Sequence, residues 1–196
     1  MDYYSKIEDF LKSHKGVITN SQCQELNIPT VYLGRLVEKG KLFKVSRGIY
    51  ASEDVDYDEL YFFQLQYKKA IFSYESALYL LGATDRIVTN YEVSVYNSYK
   101  FNAKKDNVIV HYVNKDIYDL GIIDIKTKFG NTVKCYSYER VLCDYILNEK
   151  DVDQEAFFQA LKSYIKYKDK DIFSLIDIAK KLGVETKIRK LMEVLS

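Results

Sequence analysis

The sequence of 196 residues contains no tryptophan, one proline and three cysteines, and it has no long apolar run. A membrane-spanning helix needs roughly 18 or more consecutive apolar residues, and no such segment occurs. The N-terminus also lacks the charged and then apolar pattern of a secretion signal. We therefore expect a cytoplasmic protein that is neither secreted nor inserted in a membrane.

The residues most often used in catalysis lack the spacing that catalysis or metal binding requires. Cys23, Cys135 and Cys143 do not form the paired spacing of a zinc site, and their odd number does not suit a disulfide framework. The only histidines, His14 and His111, have no serine or cysteine nucleophile in a recognisable motif. Because phosphate-binding and dinucleotide motifs are absent as well, we expect buried thiols, no catalytic residue, no metal and no cofactor.

The formal net charge of +1 hides a difference between the two ends of the chain. Residues 1–50 contain eight lysines and arginines against five carboxylates, a net charge of +3 that leaves −2 for the remainder. A basic N-terminal part and a mildly acidic remainder are typical of a DNA-binding domain joined to a domain with another function.

A short helix, a turn and a second helix are predicted between Thr19 and Gly40. Thr19 can cap the first helix because its hydroxyl can accept a backbone N–H of the first turn. Cys23 and Leu26 lie three positions apart, on the face that we expect to be buried. Pro29 suits the first turn of the second helix, and Gly40 suits the left-handed residue that ends it. This order is that of a helix-turn-helix motif.

The second helix has one apolar and one polar side. Leu33, Leu36 and Val37 form the stripe expected to face the core. We expect Arg35 and Tyr32 to read base edges, with Thr30 assisting. The polar side carries Thr30, Tyr32, Arg35 and Lys39. Gly34 costs a helix about 1 kcal/mol relative to alanine, which suggests that the two helices cross closely at this position.

Two short apolar runs follow the helix pair and predict a β-hairpin, the wing of a winged helix-turn-helix. Residues 41–45 and 49–51 alternate as strands do, and Ser46-Arg47-Gly48 supplies a glycine-containing turn. Lys44, Ser46 and Arg47 are expected at the tip of this wing. The residues expected to engage phosphates are Lys39, Lys41, Lys44 and Arg47. The alternative is that any small α/β domain has a helix pair before a hairpin, with lysines that are merely solvated.

The pattern L-x-x-L-V-x-K-G-K-L-x-x-V-x-R-G-I-Y, residues 33–50, resembles the N-terminal domain of AbiEi-type antitoxins. These regulators are encoded beside a nucleotidyltransferase-like toxin in type IV toxin–antitoxin and phage abortive-infection systems. The resemblance implies a transcriptional repressor and antitoxin. It also implies that the toxin need not be contacted directly.

An acidic segment at residues 52–59, with five carboxylates in eight positions, suits a solvated connection. We therefore expect a winged helix-turn-helix domain at residues 1–52 and an α+β domain at residues 53–196. The second domain is expected to combine a small, largely antiparallel sheet with C-terminal helices. Its strands are predicted at 91–96, 108–113, 122–128 and 132–136, and its terminal helices at 154–168, 172–182 and 186–195.

The resemblance extends into this second domain through two further motifs. An S-x-x-S-A-L helix contains Ser73 and Ser76, and an E-R-x-L-x-D motif contains Glu139, Arg140 and Asp144. The sequence departs from the family at Tyr74, where histidine is common, and at Val141, where threonine is common. The motif residues are expected to be either structural or directly involved in toxin control.

A different class of function remains open for the second domain. Asp124 and Lys126 lie two apart on a predicted strand, so both face the same side and could hold a metal that activates water, as in nucleases. The same spacing arises on any solvated sheet face. A ligand sensor is the other alternative.

The main hypothesis is an antitoxin that also represses transcription of its own operon. A single winged domain contacts a short half-site, so two copies are expected on an inverted repeat in the promoter. The partners are therefore double-stranded promoter DNA and, functionally, the toxin.

Overall fold

The computed structural model describes residues 2–84, 86, 89–102 and 106–195. By its internal contacts the chain divides into two compact units, Met1–Lys68 and Lys69–Ser196. No helix in the described part of the chain has both the length and the apolarity that a membrane crossing would need.

The first unit is a helix-turn-helix with a three-stranded sheet. Its elements are α1 (Tyr3–Ser13), β1 (Val17–Thr19), α2 (Asn20–Glu25), α3 (Val31–Glu38), β2 (Leu42–Ser46), β3 (Ile49–Ser52) and α4 (Glu59–Gln66). The strands lie in the order β1-β3-β2, and both pairs are antiparallel. β1 therefore extends the wing formed by β2 and β3.

The sheet of this unit buries side chains on both faces, which explains where the unit ends. Ile18 and Leu42 pack with the buried residues of α1, α2 and α3. Ile49 and Ala51 point to the opposite face and pack with Phe62 of α4. Because α4 supplies this cover, the division falls after Lys68 and not after Ser52, where the sequence suggested a boundary.

Two predicted signals of the helix pair, the cap at Thr19 and the stop at Gly40, are confirmed. Thr19 caps α2 in a capping box: its hydroxyl accepts the Gln22 N–H at 3.3 Å, and the Gln22 side chain accepts the Thr19 N–H at 2.8 Å. Gly40 has a φ of +70°. The Gly40 and Lys41 N–H groups donate back to carbonyls of α3 at 3.0 and 2.9 Å, the hydrogen-bond pattern of a Schellman motif.

Three expectations for the helix pair are wrong. Leu26 is 38% exposed because α2 ends at Glu25, and Ile28 is buried instead. Pro29 precedes α3, where its carbonyl accepts the N–H of Tyr32. A Cβ built on Gly34 would meet no heavy atom within 4 Å, so no helix crosses α3 closely at this glycine.

The second unit is an α+β arrangement around a five-stranded sheet. Its elements are β4 (Ile71–Phe72), α5 (Tyr74–Leu80), β5 (Tyr91–Tyr96), β6 (Val108–Val113), α6 (Lys115–Tyr118), β7 (Ile122–Lys126), β8 (Thr132–Tyr136), α7 (Tyr138–Leu147), α8 (Gln154–Lys166), α9 (Ile172–Lys181) and α10 (Glu185–Leu195). The predicted α+β class is confirmed.

The sheet of the second unit is mixed and not largely antiparallel. Its strand order is β6-β5-β4-β8-β7; the β4–β5 and β7–β8 pairs are antiparallel, and the β4–β8 and β5–β6 pairs are parallel. Strand patterning predicts where strands lie but not their direction.

Helix α7 lies at the centre of the helical layer. It contacts α5, α8, α9 and α10, and every residue from Tyr138 to Ile146 is buried. Ser137 caps it by accepting the Arg140 N–H at 3.3 Å. The E-R-x-L-x-D motif thus lies on the most buried helix of its unit.

Candidate nucleic-acid interface

Helix α3 presents one continuous exposed stripe. Val31 (55% exposed), Gly34, Arg35 and Glu38 are all exposed, and they lie opposite Leu33 and Leu36, which are buried. The stripe runs the length of the helix. An α-helix fits into the major groove of DNA, so such an exposed stripe could face base edges there.

The four residues predicted for the polar side of α3 do not share one face of the helix. Thr30, Arg35 and Lys39 are exposed, whereas Tyr32 is half-buried. Tyr32 is turned toward α1, where its ring lies 4.9 Å from that of Tyr3. The structure therefore brings Arg35 onto the exposed stripe and leaves Tyr32 on its flank.

The wing is short and tied back to the helix pair. Ser46 pairs with Ile49, which leaves Arg47-Gly48 as the turn, and the register shifts between Lys44 and Ser46. Gly48 has a φ of +77° and its carbonyl accepts the N–H of Asn20 at 2.9 Å. The wing tip is therefore held against the start of α2.

The cations of the wing differ in whether they form an ion pair with another described residue. Lys44 and Arg47 are exposed, whereas Lys41 forms an ion pair with Glu8 of α1 at 3.0 Å. The Ser46 hydroxyl is buried and makes no hydrogen bond with another described residue. Lys44 and Arg47 are thus better placed than Lys41 or Ser46 to meet a phosphate.

Val31 and Glu38 lie on the exposed stripe although the sequence did not single them out, and Gly34 lies there too and not at a close helix crossing. The signal was present, because the positions opposite Leu33 and Leu36 on a helix of 3.6 residues per turn are 31, 34, 35 and 38. Selecting by polarity favoured Tyr32 over Val31. Helical geometry was the better guide.

The E-R-x-L-x-D motif of the second unit is a buried network. The Arg140 Nε donates to Asp144 Oδ1 at 2.9 Å, and its Nη1 donates to the carbonyls of Ile117 and Leu120 at 2.6 Å each. The guanidinium also lies 4.3 Å from the centre of the Tyr136 ring. Arg140 thereby ties α7 to the end of α6.

Glu139 connects two further helices. One carboxylate oxygen accepts both the Tyr164 hydroxyl at 3.0 Å and the Asp171 N–H at 3.1 Å. It therefore joins α7 to α8 and to the start of α9. Because Glu139 is only 6% exposed, it presents little surface to any partner.

The serines of the S-x-x-S-A-L helix are buried as well. Ser76 accepts the Glu92 N–H at 2.8 Å, whereas the hydroxyl of Ser73 makes no hydrogen bond with another described residue. Tyr74, the departure from the family, has a φ of +45°. Its ring lies 4.1 Å from that of His111, and its hydroxyl accepts from the Asn148 side chain at 2.9 Å.

Burial shifts several pKa values in this unit. It raises the pKa of Asp144 to about 6, although the Arg140 guanidinium opposes the shift. It raises the pKa of Glu92 to about 7 and lowers that of His111 to about 4. All three cysteines are free and buried, as predicted, and burial raises the pKa of the Cys143 thiol to about 12.

Asp124, which was considered with Lys126 for a nuclease, is part of a surface ion pair with another residue. Asp124 lies opposite Lys134 on β7 and β8, and the two side chains form an ion pair at 2.9 Å. Asp124 and Lys126 are both exposed. This cross-strand pair accounts for Asp124 without a metal.

Comparison with known proteins supports a regulator in the first unit. Residues 5–52 match the family model described as "Transcriptional regulator, AbiEi antitoxin", which confirms the predicted resemblance for α1 to β3. The match supports a DNA-binding antitoxin in general terms.

The fold as a whole is similar to a solved structure, that of the RV2827C protein from Mycobacterium tuberculosis. The TM-score is 0.52 at 11% sequence identity, covering 97% of this chain and 80% of the other. At this identity the likeness concerns the fold alone. No curated protein matches the chain significantly.

Proposed function

We propose that this protein is an antitoxin that represses its own operon by binding promoter DNA through its first unit. The observation that carries this proposal is the exposed stripe of α3 beside a wing with two exposed cations, Lys44 and Arg47. Both features lie in the segment that matches the family model of a transcriptional regulator. No enzymatic step is needed for either role.

In the proposed complex α3 enters the major groove and the wing lies along the backbone. Arg35 donates to a guanine, Val31 contacts a thymine methyl, and Glu38 accepts from a cytosine amino group. Lys44 and Arg47 neutralise phosphates, so affinity falls as salt rises. Gly34, at the centre of the stripe, allows the helix backbone to approach the bases.

One winged unit covers only a short half-site. We therefore propose that two copies bind an inverted repeat in the promoter. The second unit carries the antitoxin role against a nucleotidyltransferase-like toxin in a type IV system of phage defence. Its motif side chains are buried, which favours a role in maintaining the fold over direct toxin contact.

The test is the binding of the full chain to a duplex of its own promoter and to an unrelated duplex over a series of salt concentrations. Arg35→Ala should weaken promoter binding at least about fivefold, because a bidentate base contact contributes about 1–3 kcal/mol. It should weaken binding to the unrelated duplex much less. Arg47→Ala should weaken both and lower the salt slope by about one.

Lys12→Ala is the matched control, because Lys12 is an exposed cation of the same unit that pairs with Asp9 on α1. It should leave both duplexes bound as in the wild type. Equal losses for Arg35→Ala and Arg47→Ala on both duplexes would contradict the assigned roles. Failure of the wild type to prefer its promoter would contradict the function.

A further inference from the structure

Three tyrosines from two helices form a cluster beside the exposed stripe. We name Tyr3, Tyr4 and Tyr32 the tyrosine shelf. The Tyr32 ring lies 4.9 Å from the Tyr3 ring in a tilted arrangement and 5.2 Å from the Tyr4 ring edge to face. Such pairs are favoured geometries for aromatic side chains, so each ring restricts the position of the others.

A cationic side chain lies over the ring of each tyrosine of the shelf. Arg35 lies 5.1 Å from the Tyr32 ring centre, Lys39 lies 4.6 Å from that of Tyr4, and Lys6 lies 5.9 Å from that of Tyr3. Among the residues that the structure describes, none of these three cations forms an ion pair. Within the described part of the chain these cations therefore lie against aromatic faces, and their charges stay available for a phosphate or a base.

We propose that the tyrosine shelf positions Arg35 and Lys39 for DNA, so that Tyr32 and Tyr4 are positioning residues and not base readers. The proposal rests on the DNA-binding function proposed above. It assigns part of the interface to α1, a helix that lies outside the helix pair and the wing.

The physical reason is preorganisation. A free arginine or lysine side chain has about 2 kcal/mol of rotamer entropy, part of which is lost when it binds a phosphate or a base. An aromatic face that already restricts the cation reduces this loss upon binding. A cation–π contact at an exposed site contributes about 0.5–1 kcal/mol, enough to favour one orientation without removing the charge.

The position of Tyr32 argues against direct reading of bases. Its ring is half-buried and contacts two other rings and a guanidinium. It lies on the flank of α3, beside α1, and not on the stripe opposite the buried leucines. A base contact by the ring would require it to leave these partners.

The test is a double-mutant cycle on the full chain with the promoter duplex as the probe. Tyr32→Leu should weaken promoter binding about two- to fivefold, the factor that 0.5–1 kcal/mol corresponds to. Tyr32→Phe should bind as the wild type, because the ring face is kept. In an Arg35→Ala background, Tyr32→Leu should cause no further loss, because the tyrosine acts through the arginine.

The salt slope should be the same for the wild type and Tyr32→Leu, since no phosphate contact is lost. Equal losses for Tyr32→Leu in the wild-type and Arg35→Ala backgrounds would overturn the proposal, and so would a loss for Tyr32→Phe as large as that for Arg35→Ala. If Tyr32→Leu shifts thermal unfolding, Tyr4→Leu with and without Lys39→Ala repeats the cycle at the second contact. Absence of promoter binding by the wild type would instead count against the DNA-binding function.

Discussion

The two units place their polar motif side chains in opposite environments. In the first unit Arg35 and Arg47 lie exposed at the surface. In the second unit Arg140 is completely buried, and Glu139 and Asp144 are 6% and 3% exposed. A polar motif in a sequence therefore indicates either a side chain that contacts something outside the protein or one that holds the fold together.

The difference has a simple energetic basis. An exposed arginine keeps its hydration, so its removal costs the fold little and is felt only by a binding partner. Arg140 has exchanged water for Asp144 and two backbone carbonyls. Removing it leaves a buried charge without its partner, which is strongly destabilising.

The largest effect that would test this comparison is therefore the loss of stability in Arg140→Ala. We expect a loss of about 3–5 kcal/mol in the free energy of unfolding, because Asp144 keeps its burial and loses its cation. Arg35→Ala is the matched change at the surface and should stay within about 0.5 kcal/mol of the wild type. Urea unfolding of both variants measures the two values. Similar stabilities for the two variants would break the comparison.

A second test uses the pH dependence that burial imposes on Glu92. Burial raises its pKa in the folded state to about 7, the Glu75 carboxylate adds to this, and the Glu75 N–H opposes it. The folded state therefore binds the proton more tightly than the unfolded chain. The resulting stability is complete below about pH 4.3, the unfolded pKa, and is lost as the pH rises through the folded pKa.

Glu92→Gln should remove this dependence while keeping an acceptor for the Glu75 N–H. At pH 8 we expect the variant to be more stable than the wild type by on the order of 2 kcal/mol, and at pH 4.5 to be nearly equal to it. Thermal and urea unfolding at the two pH values provide the measurement. A constant difference between the two proteins at both pH values would show that Glu92 does not titrate in this way.

The smallest effect concerns Gly34, on the exposed side of the comparison. Gly34→Ala should stabilise the free protein by up to about 1 kcal/mol, because alanine is the better helix former and the added methyl group meets no atom within 4 Å. If DNA approaches the helix closely at this position, the same change should weaken promoter binding. Thermal unfolding of this variant measures the gain in stability, and titration with the promoter duplex measures the loss of affinity. Tighter or unchanged binding would show that DNA does not approach Gly34.

Much of the local structure could be predicted because it depends on neighbouring residues. Thr19 and Gln22 form their capping box within three positions, and Gly40 ends α3 through hydrogen bonds to the preceding turn. The strands at Tyr91–Tyr96 and Val108–Val113 follow from alternation alone. Each of these features needs only a few consecutive residues to be recognised.

Features that depend on distant residues were missed or misjudged. The cover that α4 gives to the wing sheet requires Phe62 to meet Ile49 and Ala51, and no local pattern reports this contact. The short helix α6 was missed, although Arg140 is anchored to its end. The side of α3 on which Tyr32 lies depends on Tyr3 and Tyr4 of another helix.

The amino-acid sequence alone was enough to identify a winged helix-turn-helix followed by an α+β domain, because caps, turns and periodicity act over one or two turns of chain. The tertiary structure alone decided which polar residues meet solvent and which are buried, and which strands run parallel. These properties arise when segments far apart in the chain pack together. Packing decides which charged groups lose their water, and that loss determines what each charge costs or contributes to stability.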